Sequence, residues 1–286
     1  MKTGRKTIRV TAAALAGLTA LAAAPAGAGA SQTYYERTFM VEAGSKCRLF
    51  EPGLAAALNA AAVQARGAAV RAGDSEDALR AVAFRAKDRA DAVACASPEL
   101  GLAATRVREA FDGFSRQVRM TYPGAYQDWS ADRASYSRQT WRLSQPSITG
   151  KSPVTFGAEA GPDGRQLAAV ISFVGQNRPY AARIVLRDVT KSPRPWLGAS
   201  ALPSTDARTA VFATASTAAD ESLLAKGNKQ GEAWTFPAHA ADALAGLDPR
   251  ERFVVEFLFR DDSVARAEFE VGDFAAARAF LAMGDL

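Results

Sequence analysis

The residues that could carry acid–base chemistry are few, because the chain contains a single histidine, His239. His239 lies next to a predicted helix start, and Asp242 follows one helical turn later, where it could orient the imidazole. The chain contains neither a Gly-x-Ser-x-Gly elbow nor a Ser-x-x-Lys motif, so neither of these serine nucleophiles is indicated. We favour the interpretation that His239 is an exposed or capping residue on a short helix.

Paired carboxylates are a second source of chemistry, since glycoside hydrolysis needs two of them and no local motif. Asp128 and Asp132 are the pair to which we would assign this role, because they lie among aromatic residues and one helical turn apart. Under this hypothesis the protein is a periplasmic hydrolase that acts on cell-wall glycan. It is our alternative to a non-catalytic function.

A metal site receives little support from the sequence. Asp261 and Asp262, with Glu256 and Asp273 nearby, could in principle bind Ca²⁺, but a solvated hairpin turn has the same composition, and we favour it. No segment has EF-hand spacing, and no glycine-rich loop suits a phosphate. One histidine and no free thiol also make a zinc site unexpected. We therefore predict neither a metal nor a cofactor.

The two cysteines, Cys47 and Cys95, flank two alanine-rich segments of nearly equal length that meet at Gly73. Apolar residues recur every three or four positions, which predicts helices over residues 52–72 and 75–95. If these helices are antiparallel, the start of the first lies beside the end of the second, where both cysteines are located. The spacing therefore predicts a Cys47–Cys95 disulfide, which would stabilise the fold by about 4 kcal/mol.

A third helix is predicted over residues 98–119, since Ser97 is a suitable N-cap and Pro98 is favoured in the first turn. Residues 31–46 are polar with interspersed aromatic residues, and we expect them to form an arm laid against the helices. Residues 31–120 are thus predicted to be a disulfide-linked helical domain with an antiparallel three-helix layer.

Residues 151–286 are predicted to form a β-rich domain, because they contain segments rich in β-branched and aromatic residues. The predicted strands span residues 154–159, 167–174, 183–189, 209–214, 233–236, 252–259 and 265–271. Turns are predicted at residues 161–164 and 261–263, and short helices at residues 238–247 and 274–283. The expected class is α+β, with an antiparallel sheet or sandwich after the helical layer.

Residues 121–150 are expected to connect the two domains, with a short helix compatible with residues 130–142. Aromatic rings beside hydrogen-bonding groups suit sugars and protein partners alike. The candidate binding surface on this segment consists of Tyr122, Tyr126, Trp129, Tyr136 and Trp141. Packing of these rings in a core between the two halves explains the same pattern, and we favour it.

Residues 1–30 read as a secretory signal peptide, with a basic start, a mostly apolar run and small residues that favour cleavage after Ala30. The formal net charge of +5 includes four basic residues of this segment, so the mature chain would carry +1. Such balance favours neither nucleic acid nor an anionic membrane as a partner, and we expect no stable membrane insertion after cleavage. A disulfide agrees with an oxidising destination, which would be periplasmic or extracellular.

The last forty residues combine a strand hairpin with a helix that starts at the sequence Val271-Gly272-Asp273-Phe274. This ending resembles that of small exported proteins of the invasion-associated locus B type. The chain lacks the cysteines expected in the sheet of such proteins, and we transfer no function from the resemblance. The sequence as a whole predicts an exported, non-catalytic interaction or structural module of the cell envelope, whose partner is an envelope protein or cell-wall glycan.

Overall fold

The computed structural model describes residues 26–160, 166–173 and 178–286. It contains N-terminal helices followed by antiparallel β-sheets and two later short helices, which confirms the predicted fold class. The helices are α1 (Ala26–Cys47), α2 (Pro52–Arg71), α3 (Glu76–Ala92), α4 (Pro98–Ser115), α5 (His239–Ala245) and α6 (Phe274–Leu281). The strands are β1 (Arg119–Tyr122), β2 (Trp129–Asp132), β3 (Trp141–Thr149), β4 (Ser152–Glu159), β5 (Gln166–Ile171), β6 (Ala181–Arg187), β7 (Arg208–Phe212), β8 (Ala215–Ala218), β9 (Glu232–Thr235), β10 (Arg252–Leu258) and β11 (Val264–Glu270).

The helical layer is closed by the predicted disulfide between Cys47 and Cys95, whose Cα atoms are 5.4 Å apart. Helix α2 starts with a proline, as expected where no intrahelical partner exists for the N–H. Gly73 has a φ of +105°, so the chain can turn sharply between α2 and α3. Ser75 then caps α3 by accepting a hydrogen bond from the Ala78 N–H.

The segment predicted to be a polar arm is instead helix α1. Its apolar residues fall on several faces because α1 contacts both α2 and α3, so the sequence has no single apolar stripe. The ammonium of Lys46, in the last turn, donates to carbonyls at the end of α3, at Ala90, Asp91 and Val93. The predicted signal peptide lies mostly outside the described residues, and its favoured cleavage site after Ala30 falls inside α1.

Two antiparallel sheets form a sandwich. One sheet has seven strands in the order β1-β2-β3-β4-β5-β9-β8, and the other has four in the order β11-β10-β6-β7. The ring of Phe156 on β4 contacts Phe253 on β10 and Phe269 on β11, at centroid distances of 5.1 and 5.5 Å. The main core of the protein therefore lies between the two sheets, as the alternating burial of their strands requires.

Residues 121–150 contribute strands to the seven-stranded sheet, and the short helix considered for residues 130–142 is wrong because β2 and β3 occupy the two ends of this range. Strand β2 was missed because it is only four residues long, and β3 was missed because it contains Pro146. Pro146 is tolerated since β2 pairs with β3 only at Leu143 and Ser144, which leaves the proline side of β3 without a strand partner.

The remaining comparison with the sequence concerns two predicted turns and one edge strand. The hairpin predicted at residues 261–263 joins β10 to β11, and the Phe259 N–H donates to the Ser263 carbonyl. Strand β8 was not predicted, because its sequence of alanine, serine and threonine lies exposed at a sheet edge. The turn predicted at residues 161–164 lies outside the described residues.

An ion pair joins the helical layer to the sandwich. Arg71, the last residue of α2, binds the buried carboxylate of Asp273 through both terminal nitrogens, one of them at 2.9 Å. Asp273 also donates its backbone N–H to the Pro123 carbonyl, so the pair fixes α2 against the start of α6. Gly67 faces the same carboxylate, and a Cβ at this position would collide with it.

Candidate functional site

The five aromatic residues of the candidate binding surface do not lie on one surface. Tyr122 and Trp129 are fully buried, because residues on one face of β1 and β2 point into the core. The Trp129 ring contacts Phe156 and Phe274, at centroid distances of 6.3 and 5.1 Å. Its indole N–H donates to two backbone carbonyls of the sandwich, so the residue is a structural part of the core.

The other three rings are distributed over separate sites. Trp141 is half-buried and donates its indole N–H to the Leu223 carbonyl at 3.0 Å. Tyr126 is 94% exposed in the loop between β1 and β2. Tyr136 is 38% exposed, and the guanidinium carbon of Arg142 lies 6.0 Å from its ring centroid. Successive side chains of a strand point to opposite faces of the sheet, and this alternation separates the five aromatic residues. An interpretation of the segment as a helix could not anticipate it.

The acid pair proposed for hydrolysis has a different geometry from the one expected. Asp132 is the last residue of β2, and Asp128 immediately precedes the first residue of this strand. At the spacing of an extended strand their Cα atoms are about 13 Å apart, which is farther than the one helical turn that was expected. Asp132 forms an ion pair with Arg119 at 2.7 Å. Burial opposes its ionisation, but hydrogen bonds from the Ala134 N–H, Arg119 and Tyr136 outweigh burial and lower the pKa of Asp132. A lowered pKa suits a structural carboxylate better than a general acid.

The other predicted candidates are also engaged elsewhere. His239 is exposed, and Asp242 accepts a hydrogen bond from Arg278 at 3.1 Å instead of orienting the imidazole. Asp261 accepts from the backbone and hydroxyl of Ser263 within the hairpin turn. Glu256 is buried between two arginines of neighbouring strands, Arg183 and Arg266. Within the described residues, no group of three potential metal ligands comes together.

A cleft with a volume of about 640 Å³ lies between the helical layer and the sandwich. We call it the interlayer cleft. One wall comes from the end of α2 and the start of α3, and the other comes from two loops of the sandwich. Its lining residues are Arg66, Val70, Asp74, Ser75, Glu76, Arg187, Val189, Pro193, Pro195, Ala245, Gly246, Leu247, Asp248, Pro249 and Arg250.

The arginines of the interlayer cleft are each bound to a carboxylate. Arg66 pairs with Glu76 across the α2–α3 turn, and Arg250 pairs with Asp248 at 2.8 Å within one loop. The hydrogen bond to Asp248 raises the pKa of Arg250, so this guanidinium stays charged. The cleft thus presents paired charges beside proline and aliphatic side chains.

The buried carboxylate of Glu251 organises both sandwich loops of the cleft. It binds the Arg187 guanidinium at 2.6 and 2.7 Å and accepts hydrogen bonds from the backbone N–H groups of Asp248 and Trp196. Arg187 in turn donates to the Ser192 carbonyl. We did not anticipate this pair, although the sequence holds a signal: Arg187 lies near the end of one predicted strand, residues 183–189, and Glu251 directly precedes another, residues 252–259. Antiparallel pairing of those strands would bring them together.

Comparisons with protein-family models, with curated proteins and with solved structures found no match to this chain. In the part of the chain that the structure describes, no helix is long and apolar enough to cross a bilayer. Function is therefore inferred from the cleft and from the surface around it.

Proposed function

We propose that the protein is a non-catalytic interaction module of the cell envelope and that it binds a protein partner in the interlayer cleft. The observation that supports this proposal is the cleft itself, in which proline and aliphatic side chains lie beside arginines already paired with carboxylates. A polypeptide can cover such a wall without desolvating an uncompensated charge, which is the costly step in burying ionic groups.

The lining of the cleft favours a preorganised binding surface. Pro193, Pro195 and Pro249 restrict the backbone of its two loops, and the Glu251–Arg187 pair holds the loops together. A rigid surface loses less conformational entropy when a partner binds. The volume of about 640 Å³ is in the range of ordinary ligand sites, and it accommodates a few side chains of a partner.

A protein partner is favoured over cell-wall glycan because of where the exposed rings lie. None of the exposed tyrosine and tryptophan rings of the described residues, which could stack on sugars, is part of the cleft lining: Tyr126, Tyr136, Tyr180 and Trp196. The alternative hydrolase is not supported either, since Asp128 and Asp132 lie outside the cleft and about 13 Å apart along an extended segment. The disulfide supports placement in an oxidising compartment such as the envelope.

The test is site-specific photo-crosslinking in intact cells, with the crosslinking amino acid placed at Arg66 in the cleft. Arg106, an exposed arginine on α4, is the matched control position. We expect a defined protein adduct from position 66 and none from position 106. With the adduct partner purified, Arg66→Asp should weaken binding at least tenfold, and Arg106→Asp should leave it unchanged.

Two outcomes would contradict the proposal. Equal crosslinking from both positions would show that the contact is non-specific. Co-sedimentation with purified sacculi, without any protein adduct, would favour glycan as the ligand, and release of soluble fragments from the sacculi would favour the hydrolase.

A further inference from the structure

The loop between β6 and the residues before β7, at residues 189–204, has an unusual composition for an exposed segment. We call it the tryptophan loop. It contains Lys191 and Arg194 and no acidic residue. Two neighbouring apolar side chains outside the interlayer cleft are well exposed, Trp196 by 37% and Leu197 by 54%, whereas Val189, 46% exposed, lines the cleft. Single exposed apolar residues are ordinary, but a tryptophan and a leucine that are adjacent in the chain present a larger apolar surface, which we call the apolar patch.

The loop backbone is firmly held, so the exposure of these side chains is not a result of poor packing. The Trp196 N–H donates to Glu251, and the Arg252 guanidinium donates to the carbonyls of Gly198 and Ala199. Further along, Ala201 and Leu202 form a buried cluster with residues of β6 and β10 on the outer face of the four-stranded sheet. The apolar patch is therefore presented outward on a fixed frame.

The indole of Trp196 can be removed from water without leaving an unpaired hydrogen-bond donor. Its N–H donates to the Ser200 carbonyl at 2.9 Å, so the donor stays satisfied when water leaves. The ring lies against Gly198, where a Cβ would collide with it, and this contact fixes the orientation of the ring. Burial of an unpaired donor would cost free energy, and this arrangement avoids that cost.

The local charge points to an anionic surface. Arg194 has no ion-pair partner among the described residues, and its side chain is exposed. Lys191 is 60% exposed, but its ammonium lies 3.3 Å from the Asp188 carboxylate and also interacts electrostatically with Asp206. Arg194 is therefore the basic residue of the loop that can contact the negatively charged surface of a bilayer. Tryptophan is enriched where a bilayer meets water, because its ring is apolar and its N–H is polar.

We infer that the tryptophan loop docks the protein peripherally on a bilayer that contains anionic phospholipid. Trp196 and Leu197 enter the interfacial region, and Arg194 contacts the headgroups. This inference goes beyond the proposed function, because it assigns a lipid surface to the loop and needs no occupant of the cleft. The near-neutral charge of the mature chain predicted from sequence is compatible with it, since the relevant charge is local.

The first test uses fluorescence of the intact, disulfide-bonded protein with vesicles of phosphatidylcholine, with or without phosphatidylglycerol. Of the four tryptophans, Trp129 and Trp234 are buried and Trp141 is half-buried, so Trp196 has the most exposed indole. Brominated lipid in phosphatidylglycerol vesicles should quench part of the emission, and Trp196→Phe should abolish that quenching. Quenching that persists in Trp196→Phe would overturn the inference.

The second test compares matched leucines by vesicle co-sedimentation. Leu197 and Leu102 are 54% and 55% exposed, and Leu102 lies on α4, away from the loop. Leu197→Ser should reduce the bound fraction at least fivefold, whereas Leu102→Ser should leave it unchanged. Arg194→Gln should weaken binding only to vesicles with phosphatidylglycerol. Equal effects of the two leucine variants, or equal binding to both vesicle types, would contradict lipid docking.

The two proposals can fail separately. Arg66→Asp changes the interlayer cleft and not the exposed patch, so it should leave vesicle binding unchanged even where partner binding is lost. Absence of vesicle binding with intact partner binding would show that the lipid inference is wrong while the proposed function stands.

Discussion

The β-sandwich and the helical layer bury very different side chains. In the sandwich, Trp129, Phe156, Phe253 and Phe269 form a chain of ring contacts with centroid distances between 5.1 and 6.3 Å. In the corresponding cluster of the helical layer, half of the buried residues are alanine and none is aromatic: Met40, Ala43, Leu58, Ala90, Leu100 and Ala104. Alanine lets helices approach closely, but each buried alanine removes little apolar area from water.

The difference shows how two regions of one chain reach stability by different routes. The sandwich depends on apolar area, at roughly 25 cal/mol per Å² removed from water. The helical layer adds specific connections: the Cys47–Cys95 disulfide, the Lys46 cap on α3 and the Arg71–Asp273 ion pair. Damage to the sandwich should therefore act through lost packing, and damage to the helical layer through loss of single connections.

The largest effect is expected from Trp129→Ala. This change removes a fully buried ring and two indole hydrogen bonds, so we expect the free energy of unfolding to fall by about 3 to 5 kcal/mol. Urea unfolding would measure the loss, and Tyr126→Ala is the control, since Tyr126 is 94% exposed. A control loss as large as that of Trp129→Ala would contradict the assignment of Trp129 to the core.

Removal of the disulfide should come next and should be local. The double variant Cys47→Ser, Cys95→Ser removes a cross-link between residues separated by 48 positions, so the conformational entropy of the unfolded chain increases. The chain-entropy model predicts that the free energy of unfolding falls by up to about 4 kcal/mol. Hydrogen exchange should show amides of α1 to α4 losing protection while β4 and β10 keep theirs. Equal loss in both regions would mean that the sandwich depends on the helical layer, and the proposed contrast would fail.

A smaller, pH-dependent effect is expected from Arg71→Met. Burial raises the pKa of Asp273, and Arg71 partly opposes that shift. A raised pKa means that protonated Asp273 favours folding, and this contribution is lost as pH rises through the folded-state pKa. Without Arg71 the pKa of Asp273 rises further, so the free energy of unfolding of the variant should fall by about 2 to 3 kcal/mol near pH 7 and by less near about pH 4. The expected value is below that of a fully buried pair because the Arg71 side chain is a quarter exposed and partly screened by water.

Asp273→Asn separates the charge from the hydrogen bonds in this pair. The amide does not titrate, whereas the contribution of wild-type Asp273 is lost as pH rises through its raised pKa, so the deficit of Asp273→Asn should be larger near about pH 4 than near about pH 7, opposite in direction to that of Arg71→Met. Urea unfolding at both values measures both variants. A deficit in Arg71→Met that does not change with pH would show that Asp273 is not the group that responds.

The smallest effect concerns helix capping within the helical layer. Ser75→Ala removes the acceptor for the Ala78 N–H, so we expect a loss of about 1 kcal/mol. Ser97 also precedes a helix but makes no side-chain capping bond, and Ser97→Ala should therefore be neutral within about 0.5 kcal/mol. Thermal unfolding of both variants measures the difference in stability loss between them. Equal losses of stability would show that the side-chain capping bond of Ser75 does not account for its effect.

Sequence reasoning succeeded where local chemistry determines structure. Pro52, Gly73 and Ser75 mark the ends of α2 and α3, and the equal helix lengths placed Cys47 beside Cys95. The β10–β11 hairpin followed from a turn between two β-branched, aromatic segments. In these elements local preference and tertiary context agree.

It failed where tertiary contacts decide. Helix α1 has apolar residues on several faces because two helices enclose it, and β1, β2 and β8 are too short for their alternation to be recognised. The interlayer cleft needs contacts between residues far apart in the chain, such as Arg187 with Glu251. For the same reason the sequence could not decide between a binding surface and core packing for the aromatic segment, since strand alternation determines which way Trp129 and Tyr126 each point.

Gly67 has a consequence for how such a protein can diverge. It lies between Arg66 and Val70, which line the cleft, and its missing side chain lets α2 approach the Asp273 carboxylate. The approach of α2 to the sandwich is thus limited at this point by its contact with the Asp273 carboxylate, which is not part of the cleft lining. Descendants of this chain can exchange the wall residues to accommodate new partners while the frame that holds them stays the same.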